Sequence, residues 1–328
     1  MRRCIFCLEE KTAEDFSVEH VFPDAIGGCF TINNVCRECN SNLGSQVDSK
    51  ITNNWGIIAK RHIHKIKNKD RNIPSPFVIG ETEDGKKVEY VLDKKTGEPV
   101  ALRMFPDFDI VTDTEGNIQI KGSFDINDKE KAVEMINKKL KRAGHDELSA
   151  EEIFANMKEF NDLSPVIKQE FKFDVERIKF GLLKIAYELA CHWLGDTYLD
   201  DPMGRIIRER VLDPSFTENW FKKYPIHGKI QLYNPKSPIL NLWKEDKTSH
   251  IGCLIDSHDG RLSCYVRIFQ DFEALVYLTE NASDYSEFDY MGMFLAIDPI
   301  RRTFRETKWS EEIDRICKEI EDQDKMSH

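Results

Sequence analysis

Residues 4–40 read CIFCLEEKTAEDFSVEHVFPDAIGGCFTINNVCRECN. This stretch contains two C-x2-C pairs, Cys4 with Cys7 and Cys36 with Cys39, which are separated by 28 residues. Four cysteines in this spacing are typical of one tetrahedral Zn²⁺ site. The chain opens without an apolar leader, so we expect a cytoplasmic, reducing environment, which disfavours disulfides. We therefore predict that the four thiolates bind a structural zinc ion.

The composition is that of a folded protein. Of the 328 residues, 40% are apolar and 32% are charged, which excludes a disordered chain and is enough to bury a core. No run of about 18 apolar residues occurs, so we expect no membrane span. The net charge is −11, which argues against a protein that coats nucleic acid over its whole surface.

The charge is distributed unevenly along the chain. Residues 1–72 carry a net charge of +2, whereas the remaining residues carry −13. A basic run follows the zinc segment, and if the protein binds nucleic acid we expect the contact there. The alternative is a solvated helix face. The basic residues that we consider for nucleic-acid binding are Arg37, Lys60, Arg61, Lys65, Lys67, Lys69 and Arg71.

Hydrophobic periodicity divides the chain into an α+β arrangement. A helical pattern covers about residues 41–64, and prolines at 74 and 76 mark a boundary. Residues 77–122 have strand patterns with turns at 95–97 and 113–117, and residues 127–222 are helical, with the clearest helix from Val175 to Leu194. Residues 228–300 return to strands, with a hairpin turn at 257–260, and a last helix covers about 310–320. We therefore expect a small zinc-stapled domain over residues 1–72 and a larger mixed α+β domain over residues 73–328.

Residues between the cysteine pairs have chemistry that suggests a site. Alternation over residues 16–20 predicts a strand that ends at Glu19 and His20, Gly27-Gly28 predicts a turn, and a second strand leads to Cys36. Asn40 follows the last cysteine and opens a helix. A zinc ion on the four cysteines would hold this ββα unit together. A carboxylate, an imidazole and an amide would then lie close to one another.

These residues resemble the zinc-stapled subfamily of the HNH endonuclease superfamily, also called the His-Me finger or ββα-metal nucleases. The resemblance covers residues 4–50, about a sixth of the chain. Its pattern is C-x2-C, then E-H-x-x-P, then G-G, then C-x2-C-N-x-x-x-G-x-x-x-D. Beyond the four cysteines, the matching residues are Glu19, His20, Pro23, Gly27, Gly28, Asn40, Gly44 and Asp48.

The resemblance implies a catalytic role for each matching polar residue. His20 would be the general base, since its ordinary pKa of about 6.5 suits proton abstraction from water. Glu19 and Asn40 would bind one catalytic Mg²⁺ or Mn²⁺ ion. The family more often has Asp where Glu19 stands, so its contact with the metal is either direct or through water. Either Asn33 or Asn34 would be the middle Asn that holds the backbone around His20, and Asn34 is the preferred choice.

Asp48 has two interpretations. It lies two turns after Asn40 on the same helix face, so it would either support the metal site indirectly or be an N-terminal helix charge.

The function expected from this resemblance is hydrolysis of phosphodiester bonds in DNA, and the sequence does not distinguish DNA from RNA. The alternative is a zinc knuckle that binds nucleic acid or a protein without cleaving it. The larger C-terminal domain would regulate or target the nuclease by binding a protein or a nucleotide. Nucleases of this kind often serve in bacterial defence against phages. The sequence does not indicate an oligomeric state.

Overall fold

The computed structural model describes the chain in ten stretches. They are residues 1–67, 72–77, 79–112, 118–155, 166–171, 174–213, 248–256, 260–269, 271–285 and 292–326. Lys69, Arg71, the expected turn at 113–117 and positions 257–259 of the expected hairpin turn lie outside the described residues. Within these stretches, no helix is long and apolar enough to cross a membrane.

The chain forms two compact units, and the first is built from both ends of the sequence. Unit 1 consists of Met1–Pro74 with Lys172–His328, and unit 2 consists of Ser75–Phe171. This division differs from the expected boundary near residue 72, because the C-terminal segment packs with the N-terminal segment in one hydrophobic core. Unit 2 is therefore inserted between the two parts of unit 1.

The N-terminal part of unit 1 contains short elements around the cysteine pairs. Strands β1 (Arg2–Arg3) and β2 (Glu10–Lys11) pair, and so do β3 (Phe16–His20) and β4 (Thr31–Cys36). Helix α1 (Arg37–Leu43) continues through a π-helical turn at Gly44–Asp48 into α2 (Ser49–Thr52). Helix α3 (Trp55–Ile63) is separate, because Asn54 leaves the helical conformation and its side chain caps the Gly56 amide at 3.1 Å. The single helix expected over residues 41–64 is thus several helical segments.

Unit 2 has its own small core. A four-stranded antiparallel sheet has the order β10-β5-β6-β7, with β5 (Ile79–Thr82), β6 (Lys87–Leu92), β7 (Pro99–Met104) and β10 (Ile167–Lys168). Strands β8 (Asp107–Thr112) and β9 (Ile118–Ser123) form a hairpin, and helices α4 (Lys129–Arg142) and α5 (Ala150–Phe154) follow. The buried residues of its core are Phe108, Ala132, Ile136 and Leu140.

The C-terminal part of unit 1 is a helix against a sheet. Helix α6 (Val175–Leu194), which has the predicted bounds, is followed by α7 (Pro202–Leu212). The five-stranded antiparallel sheet has the order β13-β12-β11-β14-β15 and is followed by α8 (Trp309–Met326). Its strands are β11 (His250–Asp256), β12 (Leu262–Ile268), β13 (Phe272–Thr279), β14 (Met293–Asp298) and β15 (Thr303–Lys308). The expected pairing of β11 with β12 is present, and the α+β class is confirmed.

Helix α6 explains why the two ends of the chain share a core. Every residue from 180 to 191 is buried. A helix that is buried on all sides must pack against other elements on every side. Helix α6 contacts α2 on the N-terminal side and strands β12 and β13 of the sheet. At Gly181 an added Cβ would lie 2.5 Å from the Ile51 side chain, so a glycine allows this close contact between the helices.

Candidate active site

The four cysteines of the two pairs meet at one place. Their sulfur atoms all lie within 4.8 Å of one another, and Cys7 Sγ is 3.9 Å from Cys36 Sγ. A tetrahedral zinc with Zn–S bonds of about 2.3 Å needs S–S separations of about 3.8 Å. The donor set and its spacing therefore fit a structural zinc ion, as the sequence predicts.

Backbone amides prepare the site for a thiolate. The Cys36 amide donates to Cys4 Sγ at 3.4 Å. The pKa of Cys4 is lowered to about 4, mainly because the Cys39 thiol donates to it, with further donation from backbone amides of residues 36, 7 and 6. Thiolate is the form that ligates zinc, so the backbone donors favour metal binding, whereas the hydrogen bond to Cys4 raises the pKa of Cys39, which must lose its own proton before it can bind the ion.

The four-cysteine cluster adjoins the strand–strand–helix unit. Strand β3 pairs antiparallel with β4, so that His20 lies opposite Thr31. Helix α1 begins directly after Cys36, and it carries Asn40 back toward β3. Asn40 Nδ2 donates to the Val18 carbonyl at 2.9 Å and to Ser17 Oγ at 3.0 Å. Both amide hydrogens thus donate to β3, and the atom of the Asn40 amide that can bind a cation is Oδ1.

His20 is at the end of β3, with its side chain 36% exposed. Its Nε2 lies 3.9 Å from Oδ1 of Asp24. The loop that carries Asp24 is supported from the sheet, since His250 Nε2 is 2.9 Å from the Ile26 carbonyl. The Phe269 amide donates to Nδ1 of His250, so Nε2 carries the hydrogen and donates to Ile26.

Glu19 points away from solvent and into a buried ion pair. Lys184 Nζ on α6 donates to Glu19 Oε1 at 2.6 Å and to the His20 carbonyl at 3.0 Å. Both side chains of the pair are almost completely buried. The strand that carries the two candidate catalytic residues is therefore held by a helix that lies more than 150 residues later in the sequence.

Two further carboxylates surround the same ammonium group. Lys184 Nζ lies 3.5 Å from Asp48 and 3.1 Å from Glu188. Among the described residues, neither oxygen of Glu188 accepts a hydrogen bond of good geometry. Burial raises the pKa of Glu19, Asp48 and Glu188, although Lys184 opposes the shift. Burial alone would lower the pKa of Lys184, but the three carboxylates reverse this and raise it. One ammonium thus faces three buried acids.

The candidates for the middle Asn lie opposite the irregular part of β3. Asn33 is exposed, and its carbonyl accepts from Arg2 at 2.7 Å. Asn34 is half-buried, and its carbonyl accepts from the Ile5 amide at 3.1 Å. Within the described stretches, Asn34 Oδ1 is buried without a hydrogen-bond partner. Among the described residues, Oδ1 of Asn34 therefore forms no hydrogen bond to the backbone around His20, and the role of Asn34 stays a prediction.

The expected basic surface is only partly exposed. Arg37, Lys65 and Lys67 are exposed. Lys60 forms an ion pair with Asp271. Arg61 is buried at 5% exposure, so it does not face solvent as the basic run suggested.

Sequence reasoning missed four residues that contact the site: Asp24, Lys184, His250 and Arg302. Lys184 and Glu188 form an i, i+4 charged pair in the stretch of α6 from residue 180 to 191, whose other residues are uncharged, and this is the one local signal that pointed to a buried polar partner. Asp24 lies only four residues after His20, whereas His250 and Arg302 act across the fold, so no local pattern identifies those two.

The comparisons with known proteins agree with this geometry. A family model described as HNH endonuclease matches residues 4–56. This segment is an HNH domain. The match covers both cysteine pairs, His20 and Asn40, and it ends at the start of α3. No curated protein and no solved structure matches the chain.

We expect Cys36→Ser to lose zinc and to destabilise the whole of unit 1. Losing one thiolate dismantles a tetrahedral site, whose apparent binding free energy is about 10 kcal/mol or more. Because the HNH domain and the C-terminal sheet share a core, amide protection should fall in both. Hydrogen exchange should show unit 2 unchanged, since its core is separate. Cys317→Ser, on the exposed side of α8, is the matched control. Full zinc content in Cys36→Ser would contradict the assignment.

The buried acids predict a pH dependence of stability. Their pKa values are raised by folding. The stability they contribute is therefore complete below the unfolded pKa of about 4 and is lost as pH rises through the folded values. The free energy of unfolding should fall as pH rises above about 4 and through the folded pKa values of these acids, and Glu188→Gln should reduce this fall by removing one buried charge. Denaturant unfolding at several pH values measures the free energy of unfolding of both proteins. The exposed Glu209→Gln is the control, and identical pH profiles for the wild type and Glu188→Gln would refute the argument.

Proposed function

We propose that the protein is a metal-dependent endonuclease that hydrolyses phosphodiester bonds in DNA. The observation that carries this proposal is the placement of His20 and Asn40. The strand that ends at His20 pairs with β4, which ends at Cys36 of the four-cysteine cluster, and the helix that bears Asn40 begins at the next residue, within a segment that matches HNH endonucleases. A zinc knuckle that only binds a partner would need the cysteines but not this pairing of imidazole and amide.

In the proposed reaction His20 takes a proton from the attacking water. It is exposed at the end of β3, so a water and a phosphate have access to it. Asp24 lies within reach of Nε2 and would stabilise the imidazolium that forms. Lys184 donates to the His20 carbonyl, which restricts the backbone that carries the imidazole. Proton transfer by such a base contributes about 10²–10⁴ in rate.

Asn40 and Glu19 would hold the catalytic cation, Mg²⁺ or Mn²⁺, through oxygen. Such an ion neutralises charge on the phosphate and on the leaving oxygen. Asn40 fits the role well, because its Nδ2 donates hydrogen bonds to β3 and its Oδ1 can bind the ion. Glu19 fits in chemistry, but its Oε1 is bound to Lys184, so only Oε2 is available to the ion or to one of its waters. A single charged ligand of this kind gives weak binding, as is usual for Mg²⁺.

We also propose that unit 2 regulates or targets the nuclease. The sequence alone assigns this role to the whole region after residue 72. Unit 2 is a separate compact unit, and residues 75–171 contain 14 Lys and Arg against 21 Asp and Glu. This surplus of acids disfavours nucleic acid as its ligand and favours a protein partner. Defence against phages is the role that we propose for such a regulated nuclease.

His20→Ala should abolish cleavage without affecting the fold. Plasmid nicking should fall by about 10²–10⁴-fold, since the general base is lost, whereas zinc content and melting temperature should stay the same. His145→Ala, in unit 2, is the control. Equal cleavage by the wild type and His20→Ala would show that His20 is not the general base. RNA of the same sequence, tested beside DNA, decides the substrate class.

Chelation should separate the two metals. Zinc on four thiolates should survive brief EDTA treatment, whereas an ion on Asn40 and Glu19 should leave. Cleavage should therefore stop in EDTA and return with excess Mg²⁺ or Mn²⁺, while elemental analysis still finds zinc. Asn40→Ala should raise the metal concentration needed for half-maximal cleavage. Cleavage that persists in EDTA would rule out the proposed cation.

A further inference from the structure

An arginine from the C-terminal sheet lies beside His20. Arg302 directly precedes β15, in the turn that connects β14 to β15. Its Nη2 is ion-paired with Oδ1 of Asp24. The same oxygen lies 3.9 Å from Nε2 of His20. A guanidinium and the candidate general base therefore meet at one carboxylate oxygen.

The turn that carries Arg302 is firmly seated on the HNH domain. Asp298 Oδ1 accepts from the amides of Ile300 and Arg301, both at 2.9 Å. Pro299 packs against Gly27, where φ is +89° and an added Cβ would lie 2.4 Å from the Pro299 carbonyl. Arg302 also donates to the carbonyls of Asp24 and Gly28, at 3.4 Å each. The position of its guanidinium is thus fixed before any substrate arrives.

The guanidinium still has surface available for a ligand. The Arg302 side chain is 43% exposed, and that of its neighbour Arg301 is 82% exposed. Arg301 has one weak ion pair, with Asp298 at 3.4 Å. Arg302 therefore offers a partly exposed cation beside His20, and Arg301, the preceding residue of the same turn, presents a second cation to solvent. The chain as a whole carries a charge of −11, so a cationic surface at this place is a local feature.

The chemistry that suits such a pair is a phosphodiester. A guanidinium presents a planar fork of N–H donors that matches phosphate oxygens, and it is always charged. The basic run over residues 60–67 offers fewer cationic groups to a phosphate than its sequence suggests, since Arg61 is buried and Lys60 is paired with Asp271.

We propose that Arg301 and Arg302 bind the phosphodiester backbone of the nucleic-acid substrate next to His20. This proposal rests on the proposed nuclease function. It assigns part of the substrate site to the turn between β14 and β15, which lies outside the residues that match the HNH family model. Arg302 binds one phosphate while it keeps its contact with Asp24, and Arg301 binds a neighbouring phosphate.

The test measures binding without cleavage. Every variant carries His20→Ala, and binding to a labelled 20-base-pair DNA duplex and to a 20-nucleotide RNA is measured across a range of salt concentrations. Arg302→Gly removes the guanidinium at a position where φ is +56°, which glycine tolerates. Arg301→Gln removes a charge from an exposed side chain that contributes little to the fold. Arg205→Gln, exposed on α7, is the control.

Each of Arg301→Gln and Arg302→Gly should flatten the slope of log affinity against log salt on duplex DNA by about 0.9. The double variant should flatten it by about 1.8, and Arg205→Gln should leave it unchanged. In the His20-containing enzyme, both variants should raise KM. A purely structural Arg302 would lower the melting temperature but would not change the salt slope. Unchanged slopes in Arg301→Gln and Arg302→Gly, with wild-type cleavage intact, overturn this inference alone. If the His20→Ala protein binds neither nucleic acid and the wild type does not cleave, both this inference and the proposed function are overturned.

Discussion

A buried ion pair between Lys184 and Glu19 sets the arrangement of unit 1. An ammonium group without a partner in a protein interior is strongly unfavourable, so α6 must lie where its lysine reaches carboxylates. The same Nζ donates to the His20 carbonyl, which ties the candidate catalytic strand to the helix. Apart from Lys184 and Glu188, the residues of α6 from 180 to 191 are uncharged and buried, and the helix packs against the five-stranded sheet.

This arrangement makes the HNH domain part of a larger unit. Tyr187 on α6 donates to the Ile5 carbonyl inside the first cysteine knuckle at 2.6 Å. His250 supports the loop after His20, and Arg302 reaches Asp24 in that loop. A zinc-stapled segment of about 50 residues buries too little apolar surface to be stable by itself. The C-terminal segment supplies the missing core and, in our proposal, part of the substrate surface.

The zinc cluster and the buried ion pair fix different parts of the site. The cysteines hold the knuckle at Cys4 and Cys7 against the end of β4 and the first turn of α1, the helix that carries Asn40. Lys184 sets the position of Glu19 and of the His20 backbone. The surplus of acids around Lys184 is a cost that folding bears, because charged carboxylates are poorly solvated there. A cluster that reduces stability near a candidate active site is consistent with a functional constraint on those residues.

The sequence by itself determined the features that depend on local spacing. The two C-x2-C pairs, the strand that ends at His20, the bounds of α6 and the β11–β12 pairing all follow from patterns over a few neighbouring residues. The helix that carries Asn40 is also predicted, but it begins at Arg37 and not at Asn40. Only the tertiary structure decided that Lys184 pairs with Glu19, that Arg61 is buried, that Arg302 lies beside His20, and that residues 75–171 form a separate unit. These facts depend on contacts between residues that are up to 280 positions apart. Such contacts leave no periodic signal, because packing of whole elements decides which of many charged residues meet.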